Sequence, residues 1–491
     1  MVRSLHGAQA LLAAAHFLFD PIGAADVLNR RYDGAVAMAL PGRWRRDRPS
    51  FYFFAGSALN RVVYDRWEDL QPKNIWPVEG PRGSAQEALR RSYLRLTGAE
   101  HDGYAVHIAD TFRRTHITTY TDAISAIVSD ELDRWPTDRA TDLGTLCKDL
   151  AIRVTMSVLF GEHDRDRAVA LGHLLDDFHL QNWSLAPRIL RLPYPSTPFG
   201  RLLRSADEVS ATISEWAAED APGLRAAFKA AEESGDPESG SRLVANVATT
   251  AWAAFETPAL ALGWTLVLLE QHPEIARALH QEVAGLPERY GLEDLNAMPL
   301  LEAVIFEALR VLPPAPFIGL HPVRETMIAD ISVGPEATIV LSPWVTHRDA
   351  AVFADPARFR PDRWFERRPT AYEFIAFSGG IRRCPGYHFS LLYLKIALAA
   401  LVRRYRVRLS AKSRYAYVIK PSLRPARGGI PAVLLKQDGV FSRTPLHGPL
   451  AGLLSVEDRP VRAKRPSSAR LHLGDAPDQV STEVAAVSMS N

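Results

Sequence analysis

The ten residues from Phe377 to Gly386 read Phe-Ser-Gly-Gly-Ile-Arg-Arg-Cys-Pro-Gly, and no other segment limits the chain so tightly. One cysteine sits among glycines and arginines, directly before an apolar stretch whose spacing predicts a helix over about 389–405. Glycines 379, 380 and 386 let the backbone turn tightly and approach a flat ligand closely. The amides at the start of the next helix, with the neighbouring arginine charges, favour thiolate over thiol at Cys384. A thiolate on a rigid loop is a metal ligand or a nucleophile. The chain has 2 cysteines and no Cys-x-x-Cys pair, so one cysteine cannot build a tetrahedral zinc site alone. An axial thiolate to heme iron needs only one cysteine. Taken by itself, however, an isolated cysteine is most often a buried small hydrophobe.

Composition narrows the function classes. Hydrophobic residues make up 47% of the 491 positions and charged residues 23%, which excludes wholesale disorder and supplies a large core. The net charge of +2 leaves no basic excess of the kind that marks a nucleic-acid binder. So few cysteines exclude a disulfide scaffold and fit a reducing compartment. The expected location is cytoplasmic.

The apolar run Ala8 to Phe19 is too short to span a bilayer and is broken by His16. An amphipathic surface helix is expected there. The longest apolar stretch, Val244 to Glu270, carries Glu256 and Pro258 at its centre, and a carboxylate facing lipid is costly. A buried helix fits better, so no stable membrane anchor is expected. Residues 50–56 predict a short aromatic strand. Helices are expected over residues 121–135, 141–161, 294–312 and 389–405, with polar breaks at 183–200 and 221–242. Residues 328–341 have a strand pattern. The expected fold is mostly α with a minor β component, a single large domain over 1–437. Residues 438–491, rich in Ser, Arg and Pro without periodicity, are expected to be a disordered tail.

Phe377, Gly380, Arg382, Cys384 and Gly386 stand at offsets 0, 3, 5, 7 and 9, a spacing that chance gives less than roughly once in a thousand such chains. This segment resembles the heme-binding signature of the cytochrome P450 family of heme-thiolate monooxygenases. The resemblance implies heme b (iron protoporphyrin IX) as cofactor, with Cys384 as the iron ligand, Phe377 near the sulfur and Arg382 at a propionate. Glu307-Ala-Leu-Arg310 is similar to the family's Glu-x-x-Arg element. Phe-Arg-Pro-Asp-Arg363-Trp is similar to the third element that closes it. Glu307, Arg310 and Arg363 are then a structural lock and not part of the reaction. The likeness covers roughly residues 20–437 and is strongest from about 243 onward.

Ala253-Ala-Phe-Glu-Thr-Pro258 resembles the family's oxygen-activating segment, with Ala254 in place of the usual glycine and Pro258 in place of a second threonine. Pro258 has no N–H, so the Ala254 carbonyl loses its helical partner. Thr257, with Glu256, is expected to relay protons at that kink. The alternative is that Thr257 bonds back to its own helix and Glu256 faces a polar pocket. Two usual cationic anchors for the propionates are missing, with Ala105 and Leu320 in their places; His101 and His321 are the expected substitutes. The resemblance puts Ala251, Ala254, Phe255, Phe317 and Ile318 beside a small lipophilic substrate. Seven basic residues, Arg367, Arg368, Arg382, Arg383, Lys395, Arg403 and Arg404, lie near the cysteine loop in sequence and could steer an acidic donor. Only 107 residues follow Cys384, too few for a reductase domain, so electrons are expected from a separate ferredoxin-like protein. The expected reaction inserts one atom of O2 into the substrate. Two other readings stay open: a peroxide-driven or reductase-independent enzyme of the same fold, and a heme-binding protein without turnover.

Overall fold

A computed structural model describes residues 2–39, 49–219, 223–233 and 239–454. Its axis is one helix, Ser239–Gln271, which runs through the middle of the main core. It is long and apolar enough to cross a membrane, but most of it is buried inside the protein. Pro258 sits within it without ending it. The carbonyl that the proline frees is taken by a neighbour: the Thr155 hydroxyl donates to the Ala254 oxygen at 3.3 Å. The expected open kink is therefore filled by a side chain from helix Leu143–Phe160. That helix is well specified at both ends. The Asp142 carboxylate caps its start by accepting from the Gly144 N–H, and Gly161 ends it in the left-handed conformation, φ +69°.

The other long helices wrap this axis. Arg165–Asn182, Pro198–Ala218 and Leu224–Glu233 lie on one side, and Pro273–Ala284, Pro299–Val311 and Tyr387–Arg404 on the other. Leu224–Glu233 occupies the stretch expected as a polar break. Its Ala, Arg, Lys and Glu residues are good helix formers, and Leu224 and Phe228 supply a buried face.

The β part is small and peripheral. A six-stranded sheet has the order Arg3–Leu5, Ala35–Met38, Phe51–Phe54, Thr338–Leu341, Ile318–Pro322, Leu70–Pro72. Phe53 pairs with Val340 in parallel and Leu320 pairs with Ile339 antiparallel. The aromatic strand and the late strand pattern fall where the sequence predicts them. Their pairing joins residues almost 300 positions apart, which no local pattern shows. A three-stranded sheet joins Tyr405–Leu409, Pro431–Lys436 and Ala140–Asp142, and a hairpin joins Tyr417–Ile419 to Leu423–Pro425.

Two sequence expectations change. Helix Gly7–Phe19 lies on the surface, but its outer face is apolar: Leu11, Leu12, Leu18 and Phe19 are exposed, while Phe17 packs on Phe51, Phe53 and Phe317. The boundary at 437/438 also moves. The Thr444 N–H donates to the Glu270 carboxylate at 3.0 Å, and the Thr444 carbonyl accepts from Gln271 at 2.8 Å. Phe441 lies under Arg277 and against His280, and Leu450 is fully buried. These contacts carry order to Leu454; the rest of the expected tail, 455–491, lies outside the described residues.

Opposite the central helix, a fully buried carboxylate gathers a loop region. Glu307 accepts from Arg310 at 2.7 and 2.9 Å, from Arg363 at 3.0 Å, from the Trp364 indole at 2.9 Å and from the Arg360 N–H at 2.7 Å. Arg310 spends its remaining donors on the carbonyls of His347, Pro356 and Arg358. Burial alone raises a carboxyl, but Arg310, Arg363 and the Arg360 amide outweigh it and hold Glu307 below its ordinary value. Its stabilising contribution is therefore full above the ordinary glutamate range. It is lost as pH falls through the lower folded value.

Two outcomes are expected. Glu307→Gln leaves buried guanidinium charge uncompensated and should cost about 3–5 kcal/mol, read from the urea midpoint at neutral pH; its acid-unfolding limb should also be flatter than the parent's. Ending the chain after Gln437 should lower the thermal midpoint by several degrees relative to ending it after Leu454, because Phe441 and Leu450 lose their cover.

Candidate active site

The loop before helix Tyr387–Arg404 is closed by its own backbone. The Cys384 N–H donates to the Phe377 carbonyl at 2.9 Å, and Tyr387 donates to the Cys384 carbonyl at 3.3 Å. Gly380 has φ +61°, and a Cβ on Gly379 would meet the Tyr64 ring at 2.8 Å. Both positions thus need glycine, one for conformation and one for space. Phe377 stacks edge-on to Tyr387 at 4.8 Å, and Arg383 lies over the same tyrosine at 4.3 Å.

The half-buried Cys384 sulfur accepts the Gly386 N–H. Burial pushes this thiol up, and the Gly386 amide and Arg383 charge only partly offset it. The loop alone does not supply the expected thiolate preference; a cation bound at the sulfur would. Among the described residues no group of three or more His, Cys, Asp or Glu side chains is placed to hold a metal ion. The soft donor available is this one sulfur.

Three further groups, Arg382, His101 and Tyr93, lie together beside the loop. Arg382 donates to the Leu96 carbonyl at 2.5 Å, and its charge reaches His101 and Tyr93. His101 lies over Tyr93 at 6.2 Å, with Nδ1 3.2 Å from Asp102. Burial and the Arg382 charge lower this imidazole below its usual value, so at neutral pH it is a polar neighbour and not a cation. The Tyr93 hydroxyl approaches Thr250 of the central helix and feels Cys384 on its other side. Tyr93 was not anticipated; the run Arg90-Arg-Ser-Tyr-Leu-Arg95, aromatic and basic together, was the available signal.

His321 stands apart, on strand Ile318–Pro322 beside Gln71, Lys73 and Arg95, with Nδ1 buried and unpartnered. Burial and the two cations push it down to about 4. Arg95, held by Gln71 at 2.9 Å, and Lys73 are the cations on that side. Leu320 is fully buried in a second, smaller core, and Ala105 is half-buried.

On the central helix, residues around Thr257 are otherwise buried, yet Ala253, Ala254 and Thr257 keep accessible surface. Phe317, Ile318 and Phe377 are also only part-buried. Their accessible surface marks space left unfilled along this part of the helix. Thr257 turns its hydroxyl to the Ala253 carbonyl at 3.2 Å, the back-bonded alternative. Ala251 and Phe255 are fully buried; helical geometry turns them well over a quarter-turn from Thr257, among main-core residues. Glu256 is fully buried and faces Arg424, whose Nε is 3.2 Å away; Arg424 is shared with Asp176 at 2.7 and 2.8 Å, and Lys148 pairs with Asp176 at 2.6 Å. Of the basic residues expected to steer a donor, Lys395 is buried between Glu302 and Asn296 and is no part of a charged surface.

A flat iron macrocycle with carboxylate edges fits what is here. One sulfur stands on a glycine loop, an internal gap faces the central helix, and Arg382 with Arg95 supplies cations for the edges.

The family model described as Cytochrome P450 matches residues 108–422. Cyclooctatin synthase of Streptomyces melanosporofaciens is 28% identical over 354 residues, 68% of this chain and 77% of that protein. Pentalenene oxygenase of Streptomyces avermitilis is 28% identical over 313 residues, 60% of this chain and 69% of that one. Among solved structures, a cyanobacterial CYP120A1 with bound retinoic acid superposes with TM-score 0.70 at 20% identity, over 86% of this chain and 96% of its own. CYP175A1 of Thermus thermophillus gives TM-score 0.69 at 21% identity, over 89% and 100%. The sulfur loop and the matched model together make this chain a member of the cytochrome P450 family, a heme b monooxygenase.

Proposed function

We propose that Cys384 is the axial ligand of heme iron and that the protein oxidises a lipophilic molecule in the gap between the sulfur loop and the central helix. The observation that carries this reading is the Cys384 sulfur on its glycine loop, joined through Tyr93 to Thr250 of the central helix, one to two turns before accessible Ala253, Ala254 and Thr257. Bound there, heme supplies the redox-active iron at which dioxygen is cleaved. Arg382 and Arg95, with His101 and His321 as neutral partners, hold the propionates in place of the arginines missing at 105 and 320. Phe317, Ile318 and Ala254 give the substrate an apolar wall.

Two residues handle protons. Thr257 holds one at Oγ1 on the helix face turned to the gap and can release its bond to Ala253 to deliver it. Glu256 holds a second site behind it, tuned by Arg424. Burial raises Glu256 and the Arg424 charge opposes that, with burial ahead, so its proton is held more readily than by an ordinary glutamate. Electrons come from a separate ferredoxin-like protein, and the enzyme works in the cytoplasm.

A second reading, the same site driven by peroxide, is favoured by one observation: Thr257 is turned onto Ala253 and Glu256 onto Arg424, so neither hydroxyl nor carboxyl is already aimed at the gap.

Turnover under 18O2 with ferredoxin, ferredoxin reductase and NADPH, across a panel of cyclic hydrocarbons and alcohols, should place one labelled atom in the product. Products formed only with peroxide would select the second reading. Thr257→Ala should keep oxygen consumption and lower product per oxygen roughly tenfold, the balance released as hydrogen peroxide; unchanged coupling removes Thr257 from the proton path.

A further inference from the structure

Between Asp177 and Asp207 the chain carries no acidic residue and four arginines, Arg188, Arg191, Arg201 and Arg204. The middle of this stretch projects from the protein. Residues 189–196 are all exposed, and Leu185, Ile189, Leu190, Leu192 and Tyr194 put large apolar side chains into solvent, Ile189 at 80% and Tyr194 at 64% exposure. Scattered exposed leucines are ordinary, but five large apolar side chains within ten residues are not. Prolines 187, 193, 195 and 198 restrict the backbone, so little further freedom is lost when this ridge meets a surface.

The ridge is braced by the chain that follows strand Leu70–Pro72. The Trp183 indole donates to the Ile75 carbonyl at 2.6 Å, and Arg191 donates to the Glu79 carbonyl at 2.7 Å. Arg90 lies close enough to feel the Arg191 charge. Arg188 lies over Trp183 and Arg191 over Phe199, so these cations stand at the foot of the apolar side chains. The bracing stretch, 73–95, adds Lys73, Arg82, Arg90, Arg91 and Arg95 against Glu79 and Glu87. Glu87 is already held by Arg91 and the Gly83 amide. Together the two stretches hold nine of the chain's 58 Lys and Arg residues and two of its 56 Asp and Glu residues. The rest of the chain therefore has an acidic excess, and positive charge is concentrated around the ridge.

We propose that segment 185–194 seats the protein reversibly on an anionic bilayer surface, its apolar side chains below the headgroups and its arginines at the phosphates. A protein partner would need a pocket shaped to each projecting side chain. A bilayer interface accepts any apolar side chain, and its phosphates answer the guanidinium groups. A second exposed face has the same character: helix Gly7–Phe19 presents Leu11, Leu12, Leu18 and Phe19, and no acidic residue precedes Asp20. Both faces reach the same stretch, residues 317–319. Phe17 packs on Phe317 at 5.1 Å, and the Lys73 side chain lies against Gly319. If Phe317 and Ile318 wall the substrate gap, a lipophilic molecule dissolved in the bilayer has a short path to it. The bilayer contact itself goes beyond that reading and does not depend on it.

The test uses the full-length holoenzyme and flotation with vesicles of phosphatidylcholine alone or with about a third phosphatidylglycerol. Affinity for the anionic vesicles should be about tenfold or more above that for the neutral ones and should fall as salt is raised. Ile189→Ser with Tyr194→Ser should weaken it about tenfold or more. Arg204→Gln should weaken it about fivefold, and adding Leu12→Ser and Phe19→Ser to the first pair should weaken it further. All these side chains are exposed, so each variant should keep the parent's thermal midpoint and heme spectrum. No binding to either vesicle, equal binding to both, or binding that the Ile189 and Tyr194 substitutions leave unchanged overturns the proposal. An acidic protein, or a second copy of this chain, as the true occupant of the ridge would give the first of these results. Flotation does not read the iron ligand, so failure of the Cys384 reading would show in the heme spectrum and leave vesicle binding intact.

Discussion

A half-buried sulfur that receives one backbone N–H and lies near one guanidinium is a poor seat for an anion unless a cation joins it. Everything around Cys384 is arranged as though that cation were permanent. The loop is closed by its own hydrogen bonds, its glycines let the turn pack tightly against Tyr64, and Phe377 and Tyr387 pack edge-on beside it. On the proposed reading, the charge that makes the thiolate would come from a bound metal more than from the loop. Burial of this thiol is therefore compatible with the proposed ligand role.

The central helix divides the work by face. The side carrying Ala253 and Thr257 borders the gap, the side carrying Ala251 and Phe255 is closed within the core, and the side carrying Thr249, Trp252 and Glu256 is polar. Pro258 does not open the helix, because Thr155 takes over the freed carbonyl. The proline instead fixes where a donor from helix Leu143–Phe160 must stand. On helix Pro299–Val311, the Glu307 cluster satisfies a buried charge completely, and it draws together a region of chain with little regular structure of its own.

The parts readable from the chain were those written in local patterns. The cysteine loop, the Glu307–Arg310 spacing with Arg363, the long apolar helix and the aromatic strand all depend on residues close in sequence. What was not readable depends on distant pairings. Arg424 lies 168 positions beyond Glu256, and nothing near either residue announces their pairing. Tyr93 and Arg95 reach the site only because the chain after residue 70 folds back under the central helix. The Gly7–Phe19 helix and the segment to Leu454 were misjudged for opposite reasons. In one, helical spacing did not reveal that the outward face stays apolar. In the other, a polar composition hid a few anchoring residues, Phe441, Thr444 and Leu450.

The account stands on sulfur, as an anion, being bonded to the iron of a porphyrin. Its most direct measurement is the absorption spectrum of the purified, reduced protein saturated with carbon monoxide. The predicted result is the strongly red-shifted Soret band that a thiolate ligand produces, lost when Cys384 is replaced by histidine. A Soret band at the unshifted position of a histidine- or thiol-ligated heme, in protein fully loaded with heme, would contradict it.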